Sequence, residues 1–170
     1  SQDHLDFHNT MEEYFEAKAR LFTRTFSDRA VIVIEDEWGE RMAAAAQVPV
    51  RTLGRDERSQ WRVEHTPGEA DFVLHLDEGQ SIRLRSPLPG DFNVTNTALA
   101  ASMLIESGVP AAEIDAIGRS FVATVPGRME IIDVSGPRAL EESHPEILPR
   151  AIVDYSHTPD AIAKALATLH

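Results

Sequence analysis

The chain has 170 residues, of which 42% are hydrophobic and 26% charged, a balance typical of a folded globular protein. The net charge of −12 argues against binding to nucleic acid or to an anionic membrane surface, and the lack of cysteine excludes disulfides, thiolate metal sites and a cysteine nucleophile. No apolar run has the length of a transmembrane helix and no signal-peptide pattern is present, so we expect a cytoplasmic protein with no nucleic-acid or membrane partner.

The first 46 residues are predicted to hold two helices around one strand. Thr10, followed three residues later by Glu13, is a capping-box pattern, and it predicts a helix from about residue 11 to 24 or 25. The continuous β-branched run at 30–35 predicts a buried strand. Residues 36–46 then predict a short helix.

The middle of the chain changes from strand patterns to helix patterns. Between residues 49 and 86, three segments alternate apolar and polar side chains, which predicts a small antiparallel sheet with one face in water. After a loop, residues 93–108 predict a helix that Gly108 ends as a C-terminal cap, and Pro110 begins the next helix.

The last part of the chain predicts a second domain. A turn and a strand begin near residue 126, and a polar connection leads to a second buried strand within 150–156, which a helix follows directly. A strand, a short loop and a helix form the entry unit of an α/β domain. We therefore expect an α/β protein with domains at 1–126 and 127–170.

Lys18 lies on the apolar face of the predicted first helix, at helical spacing from Met11, Phe15 and Phe22. Two interpretations are open. Either the lysine lays its methylenes on that face while its ammonium reaches water, or it is partly buried, which favours the neutral amine. A neutral amine can add carbon dioxide, and the resulting carbamate is a carboxylate suited to Mg²⁺.

Two further groups of polar residues stand before helices. His4, Asp6 and His8 alternate, so an extended backbone places them on one face, where they are either solvated or bind a metal. Asn93 and Asn96 begin the predicted long helix. They are either an N-cap with a satisfied polar neighbour or an amide pair that meets the donor and acceptor edge of a base.

The predicted second domain has polar residues at a turn and at a strand end. Arg128 follows a Pro-Gly turn, either as a surface charge or as a phosphate ligand. Asp154 and His157 follow the strand, where ligands bind in open α/β sheets. Thr158 as a helix cap, with Pro159 at the first helical position, explains part of this motif structurally.

Five motifs, in their order along the chain, resemble those of the Mur ligase family, which uses ATP to form amide bonds. They are SQDHLDFH, YFEAKARLF, LPGDFNVTN, PGRME and VDYSHTPDA, and the resemblance fades only from about 44 to 80. It implies the second half of a P-loop-type central ligase domain with a small antiparallel sheet, followed by the first βα unit of a Rossmann-like C-terminal domain. The first and last motifs resemble members that add a third, diamino, amino acid to UDP-N-acetylmuramoyl-L-alanyl-D-glutamate in peptidoglycan synthesis.

The resemblance also implies the cofactors ATP and Mg²⁺ and roles for single residues. Lys18 corresponds to a lysine that is carbamylated, and His4 to a metal ligand. Asn93 and Asn96 correspond to the adenine contacts, and Arg128 corresponds to a phosphate contact. Asp154 corresponds to a contact with the ribose or the nucleotide, and His157 to a residue of the ATP cleft.

The connection at 136–149 looks longer than the family usually has, and the sequence departs from the family pattern at two motifs as well. Val33-Ile34-Glu35-Asp36 stands where the family commonly has Asn-Ala-Asp-Asp, and no GxxGKT phosphate loop occurs in the chain. We therefore expect a fragment of a monomeric parent enzyme, inactive alone, whose substrates are a UDP-sugar peptide and an amino acid. Two alternatives are open: a related cyanophycin- or folylpolyglutamate-type ligase, and a non-catalytic nucleotide-binding module.

Overall fold

The chain divides into two compact units, Ser1–Phe121 and Val122–His170. The computed structural model describes residues 10–122, 125–132 and 151–169. The assignment of two ligase domains that was made from the sequence stays a prediction.

The first unit is built around one five-stranded mixed sheet with the strand order β1-β2-β3-β4-β5. Its strands are β1 (Ala30–Val33), β2 (Val50–Gly54), β3 (Trp61–His65), β4 (Asp71–His75) and β5 (Ser81–Arg85). β2 pairs in parallel with both β1 and β3, whereas β4 pairs antiparallel with β3 and β5. The predicted antiparallel strands are therefore confirmed, but they extend the sheet of the predicted first strand instead of standing apart from it. The short strand β2 makes that connection.

The described residues of the first unit form the helices α1 (Met11–Ala19), α2 (Glu37–Ala45), α3 (Asp91–Glu106) and α4 (Ala111–Gly118). The predicted cap of α1 is confirmed, since Thr10 Oγ1 accepts a hydrogen bond from the Glu13 N–H at 3.1 Å. α1 is shorter than predicted: a 3₁₀ turn follows it, and Thr23 ends that turn with extended backbone and a hydroxyl bonded to the Arg20 carbonyl. Within the described part of the chain, no helix is long and apolar enough to cross a membrane.

The main core lies between the sheet and the pair α3 and α4. Inward side chains of the alternating strands meet one face of α3, and the fully buried members include Leu53, Leu74, Ile82, Val94 and Ala98. A smaller cluster covers the other side of β1 with α2 and the 3₁₀ turn, through Ile32, Ile34 and Met42. α3 ends as predicted, because Gly108 takes a left-handed φ of 99° just beyond it.

The second unit contains a two-stranded antiparallel ribbon, β6 (Glu130–Ile132) and β7 (Ala151–Val153), and the helix α5 (Pro159–Ala167). The prediction that the second strand is buried is wrong, because Ala151 and Val153 are exposed. Among the described residues β7 pairs only with β6. The predicted helix start is confirmed: Thr158 Oγ1 accepts from the Ala161 N–H at 3.3 Å, and proline is the first residue of α5.

Candidate functional site

Lys18 is exposed on α1, which favours the first of its two interpretations, an ammonium that reaches water. α1 packs through Phe15, which is 8% exposed and whose ring centroid lies 5.8 Å from that of Trp38. Lys18 lies one helical turn after Tyr14, and its ammonium nitrogen is 4.3 Å from the centroid of the Tyr14 ring. The side chain therefore stands beside an aromatic surface and opens to solvent.

The motif that holds His4, Asp6 and His8 lies outside the described residues. Among the residues that the structure does describe, no group of three or more histidine, aspartate or glutamate side chains could hold a metal ion. The metal ligands that we predicted, His4 and carbamylated Lys18, therefore stay a prediction.

Asn93 and Asn96 form a hydrogen-bonded pair in the first two turns of α3. The helix begins at Asp91 with Gly90 as its N-cap, so Asn93 is the third helical residue and not the cap. Asn93 is buried, and its Nδ2 donates to the Pro89 carbonyl at 2.7 Å. Its Oδ1 lies 3.4 Å from Asn96 Nδ2. Asn93 thus fixes the preceding loop and its partner amide, while the exposed Asn96 offers both donor and acceptor groups to a ligand.

A network that the sequence patterns missed connects strand ends to the start of α3; its members are Glu35, Arg55, His65, Asp91 and Thr95. Arg55 is the centre: its Nε lies 3.0 Å from Glu35 Oε1, and its Nη1 lies 2.6 Å from His65 Nδ1. Its Nη2 donates to the Asp91 carbonyl at 3.0 Å and to Thr95 Oγ1 at 3.1 Å. Glu35 and Arg55 come just after the parallel neighbours β1 and β2, so a prediction of β2 would have brought them together.

Asp91 ties this network to the turn between β3 and β4. Its Oδ1 accepts from the Gly68 N–H at 3.0 Å and lies 3.2 Å from His65 Nε2. The hydrogen bond from Gly68 lowers the pKa of Asp91; burial opposes this, and the contact with His65 and the charge of Arg55 lower the pKa further. The carboxylate therefore stays ionised at neutral pH.

In the second unit, Arg128 and His157 contact the ring of Tyr155, which follows Asp154 in the chain. The Arg128 guanidinium carbon lies 5.1 Å from the centroid of the Tyr155 ring. The His157 ring stands edge-on to the same ring at 5.0 Å, and its Nδ1 lies 2.9 Å from the Tyr155 carbonyl. A guanidinium and an imidazole thus contact one aromatic side chain.

Asp154 also has a structural role that the sequence did not reveal. Its Oδ1 accepts from the Met129 N–H at 2.9 Å, and its Oδ2 accepts from the N–H and the hydroxyl of Ser156. Met129 is buried and has a left-handed φ of 48°, a backbone conformation that is unfavourable for residues other than glycine. The hydrogen bond to Asp154 helps to stabilise this conformation. Burial raises the pKa of Asp154, but the hydrogen bonds from Ser156, Met129 and the Tyr155 backbone outweigh it and lower the pKa overall.

Comparison with protein families identifies the family of the chain. Residues 1–104 match the family model of the Mur ligase middle domain. The chain belongs to the Mur ligase family. The resemblance found in the five motifs is thereby confirmed, and so is the α/β fold class.

Individual Mur ligases match the chain almost from end to end. The UDP-N-acetylmuramoyl-L-alanyl-D-glutamate--2,6-diaminopimelate ligase of Corynebacterium glutamicum is 42% identical over 177 residues, which cover 99% of this chain and 32% of that protein. The UDP-N-acetylmuramyl-tripeptide synthetase of Leifsonia xyli is 37% identical over 180 residues, with the same coverage. A solved UDP-N-acetylmuramoyl-L-alanyl-D-glutamate--2,6-diaminopimelate ligase superposes with a TM-score of 0.73 at 30% identity, over 99% of this chain and 34% of that one. The chain thus spans about a third of the length of these Mur ligases.

The polar groups of this Mur ligase chain suit the parts of a nucleotide. An exposed amide such as that of Asn96 can face the donor and acceptor edge of a base. An ionised carboxylate such as Asp154 accepts hydrogen bonds from hydroxyl groups, and a guanidinium such as Arg128 pairs with phosphate. The described residues therefore carry the donor and acceptor types that ATP requires.

Proposed function

We propose that this chain is part of an ATP-dependent amide ligase that adds a diamino acid to UDP-N-acetylmuramoyl-L-alanyl-D-glutamate in the peptidoglycan synthesis of the cytoplasm. The supporting observation is the 42% identity, over 99% of the chain, to a protein named for that substrate and for 2,6-diaminopimelate. 2,6-Diaminopimelate is accordingly the first amino acid to test, and we expect the parent enzyme to be a monomer.

In such a reaction a carboxylate oxygen of the D-glutamyl residue attacks the γ-phosphorus of ATP, and ADP leaves. The amine of the third amino acid then attacks the acyl phosphate, inorganic phosphate leaves, and the amide forms. Little covalent chemistry falls to the protein, so its main tasks are to orient the nucleotide and to balance negative charge.

We assign the described polar residues to the nucleotide by their chemistry. Asn96, oriented by the buried Asn93, faces the adenine edge, and Arg128 faces the phosphates. Asp154 accepts from a ribose hydroxyl, since the lowered pKa keeps it ionised. His157, which lies beside Tyr155, completes the nucleotide site.

Lys18 and His4 are the proposed ligands of Mg²⁺, which neutralises the charge of phosphates when it is bound. Carbon dioxide can reach the amine of Lys18 because the side chain is exposed, but only the neutral form of that amine adds it. The carbamate that forms is a hard carboxylate on a long stem. The proposal needs this modification, because an ammonium group is not a metal ligand.

Chemical rescue of Lys18→Ala in the full-length protein tests the proposal. We expect the variant to lose at least about 99% of the phosphate release that depends on UDP-sugar dipeptide and 2,6-diaminopimelate, and a short carboxylic acid to restore part of it. Lys18→Arg should lose as much activity without rescue, because the guanidinium fills the site with a permanent positive charge.

Wild-type turnover by Lys18→Ala would rule out the carbamate. Wild-type protein that releases phosphate with a folate or another amino-acid acceptor, but not with the UDP-sugar dipeptide, would instead overturn the proposed substrate.

A further inference from the structure

We propose that Arg55 is a positioning residue for the nucleotide: it holds the first turn of α3 so that Asn96 meets the adenine in the correct direction. This inference rests on the proposed function, in which the Asn93 and Asn96 pair serves ATP. It assigns a role to a residue outside the five motifs that carry the family resemblance.

The start of α3 needs an external anchor. Its N-cap is Gly90, with a φ of 103°, and no side chain of the cap accepts a hydrogen bond from the helix. A glycine cap offers no side-chain acceptor to the free backbone N–H groups of the first turn. Asn93, which orients the proposed adenine contact Asn96, lies within that first turn.

Arg55 supplies the anchor from the end of β2. Its side chain is 34% exposed, and its Nη2 reaches both the Asp91 carbonyl and the Thr95 hydroxyl, one turn apart on α3. Its Nε is held by Glu35 just after β1, and the Thr95 hydroxyl in turn donates to the same Glu35 oxygen at 3.2 Å. The guanidinium thus fixes the helix start against two neighbouring strand ends.

His65 locks this arrangement from the third strand. Its side chain is fully buried, and Arg55 donates to its Nδ1, so the ring carries its proton on Nε2 and directs it at Asp91 Oδ1. The same Asp91 carboxylate accepts from Gly68. Hydrogen bonds from two strand ends, a buried histidine and a turn together favour one arrangement of the helix start, which is what orientation of a ligand group requires.

Thr95 passes this constraint to the amide pair. It precedes Asn96 directly, and Asn93 lies between the two α3 residues that Arg55 contacts. Amide recognition of a base edge depends on direction, so a shift of the first turn weakens the adenine contact without touching the reacting groups. Loss of Arg55 should therefore act on ATP affinity more than on the chemical step.

Steady-state kinetics of Arg55→Ala in the full-length ligase test this role. We expect KM for ATP to rise about three- to tenfold while kcat changes less than about twofold. Thr95→Val removes only the contacts of the hydroxyl group and should raise the KM for ATP to a smaller extent. Thr95→Ser keeps that hydroxyl group, so its KM for ATP should equal that of the wild type. The two Thr95 variants test the same role if Arg55→Ala does not fold.

Arg51→Ala is the matched control. Arg51 lies on β2, the strand that Arg55 follows, and is 25% exposed, but it binds Glu106 at the opposite end of α3, with Nε 3.1 Å from Oε1. It should lower stability without raising KM for ATP. An equal rise in both arginine variants, or no rise in Arg55→Ala and Thr95→Val, overturns the positioning role.

Direct titration with ATP and Mg²⁺ separates the two levels of the proposal. Wild-type protein that binds ATP, with unchanged affinity in Arg55→Ala and Thr95→Val, overturns the positioning role alone. Wild-type protein that binds no ATP overturns the proposed function and this inference with it.

Discussion

Asp91 and Asp154 both accept hydrogen bonds from backbone N–H groups of residues with left-handed φ angles. Gly68, with a φ of 85°, donates to Asp91, and Met129, with a φ of 48°, donates to Asp154. Such hydrogen bonds stabilise the ionised carboxylate and hold it in one orientation. Each charge is therefore fixed before any ligand binds, although only Asp154 is a proposed nucleotide contact.

Asp91→Asn should change the acid stability of the first unit. Because the folded-state pKa of Asp91 is lowered, its ionisation stabilises the fold above the unfolded value of about 3.9, and this contribution is lost as the pH falls through the folded-state pKa. Wild-type protein should be more stable than the variant at pH 7, and the difference should shrink below about pH 4. Urea unfolding followed by tryptophan fluorescence reports this unit, since Trp38 and Trp61 both lie in it. A stability difference that is the same at pH 7 and pH 3 would contradict the assignment.

Elements with strong local patterns could be predicted from the sequence, and those that depend on distant partners could not. The alternating strands and the long apolar helix α3 carry their period in their own residues. β2 was missed because Arg51 and Thr52 interrupt a strand that is only five residues long and is held by parallel neighbours. The burial of β7 was predicted wrongly because a run of apolar residues suggests a buried strand but does not show whether another element packs on it.

The candidate site divides in the same way. Asn93, Asn96 and Asp154 stand in local motifs, so their positions at a helix start and a strand end could be predicted. The Arg55 network could not, because its contacts join residues 10 to 60 apart in the chain. Its geometry exists only once three strands lie side by side.

The packing of α2 and of α4 against the sheet depends in each case on a glycine, which has no side chain. A Cβ on Gly39 of α2 would lie 2.1 Å from the Val33 carbonyl oxygen, and a Cβ on Gly118 of α4 would lie 2.2 Å from a methyl carbon of the buried Leu84. Both distances are far below van der Waals contact, so the helices reach the sheet only because these residues are glycine.

Gly39→Ala and Gly118→Ala should therefore both destabilise the first unit, although alanine ordinarily favours a helix by about 0.5–1 kcal/mol. We expect a loss of about 1–3 kcal/mol for Gly118→Ala, where a side chain can adjust, and a loss at or above the upper end of that range for Gly39→Ala, where a backbone carbonyl must move. Midpoints of urea unfolding measure both changes. Unchanged or raised midpoints would show that the helices do not pack this closely.

At the scale of the whole molecule, the proposed nucleotide contacts belong to both compact units. The amide pair lies in the first unit, and Arg128, Asp154 and His157 lie in the second. Each group has local structural partners of its own, such as Pro89 for Asn93 and Met129 for Asp154. A common function is therefore established only if changes in both units affect the same ligand.

Asn96→Ala, Arg128→Ala and His157→Ala in the full-length protein should each raise KM for ATP and leave KM for the UDP-sugar peptide unchanged. A neutral hydrogen bond contributes about 1 kcal/mol and a bond to a charged group about 1.5–3 kcal/mol, so we expect roughly fivefold for Asn96→Ala and tenfold or more for Arg128→Ala. Arg85→Ala is the control, because Arg85 is exposed and pairs with Asp71 at 2.6 Å on the outer face of the sheet. If Asn96→Ala raises KM for ATP while Arg128→Ala and His157→Ala behave like Arg85→Ala, the second unit does not contact the nucleotide, and the assignment of Arg128 and His157 is wrong.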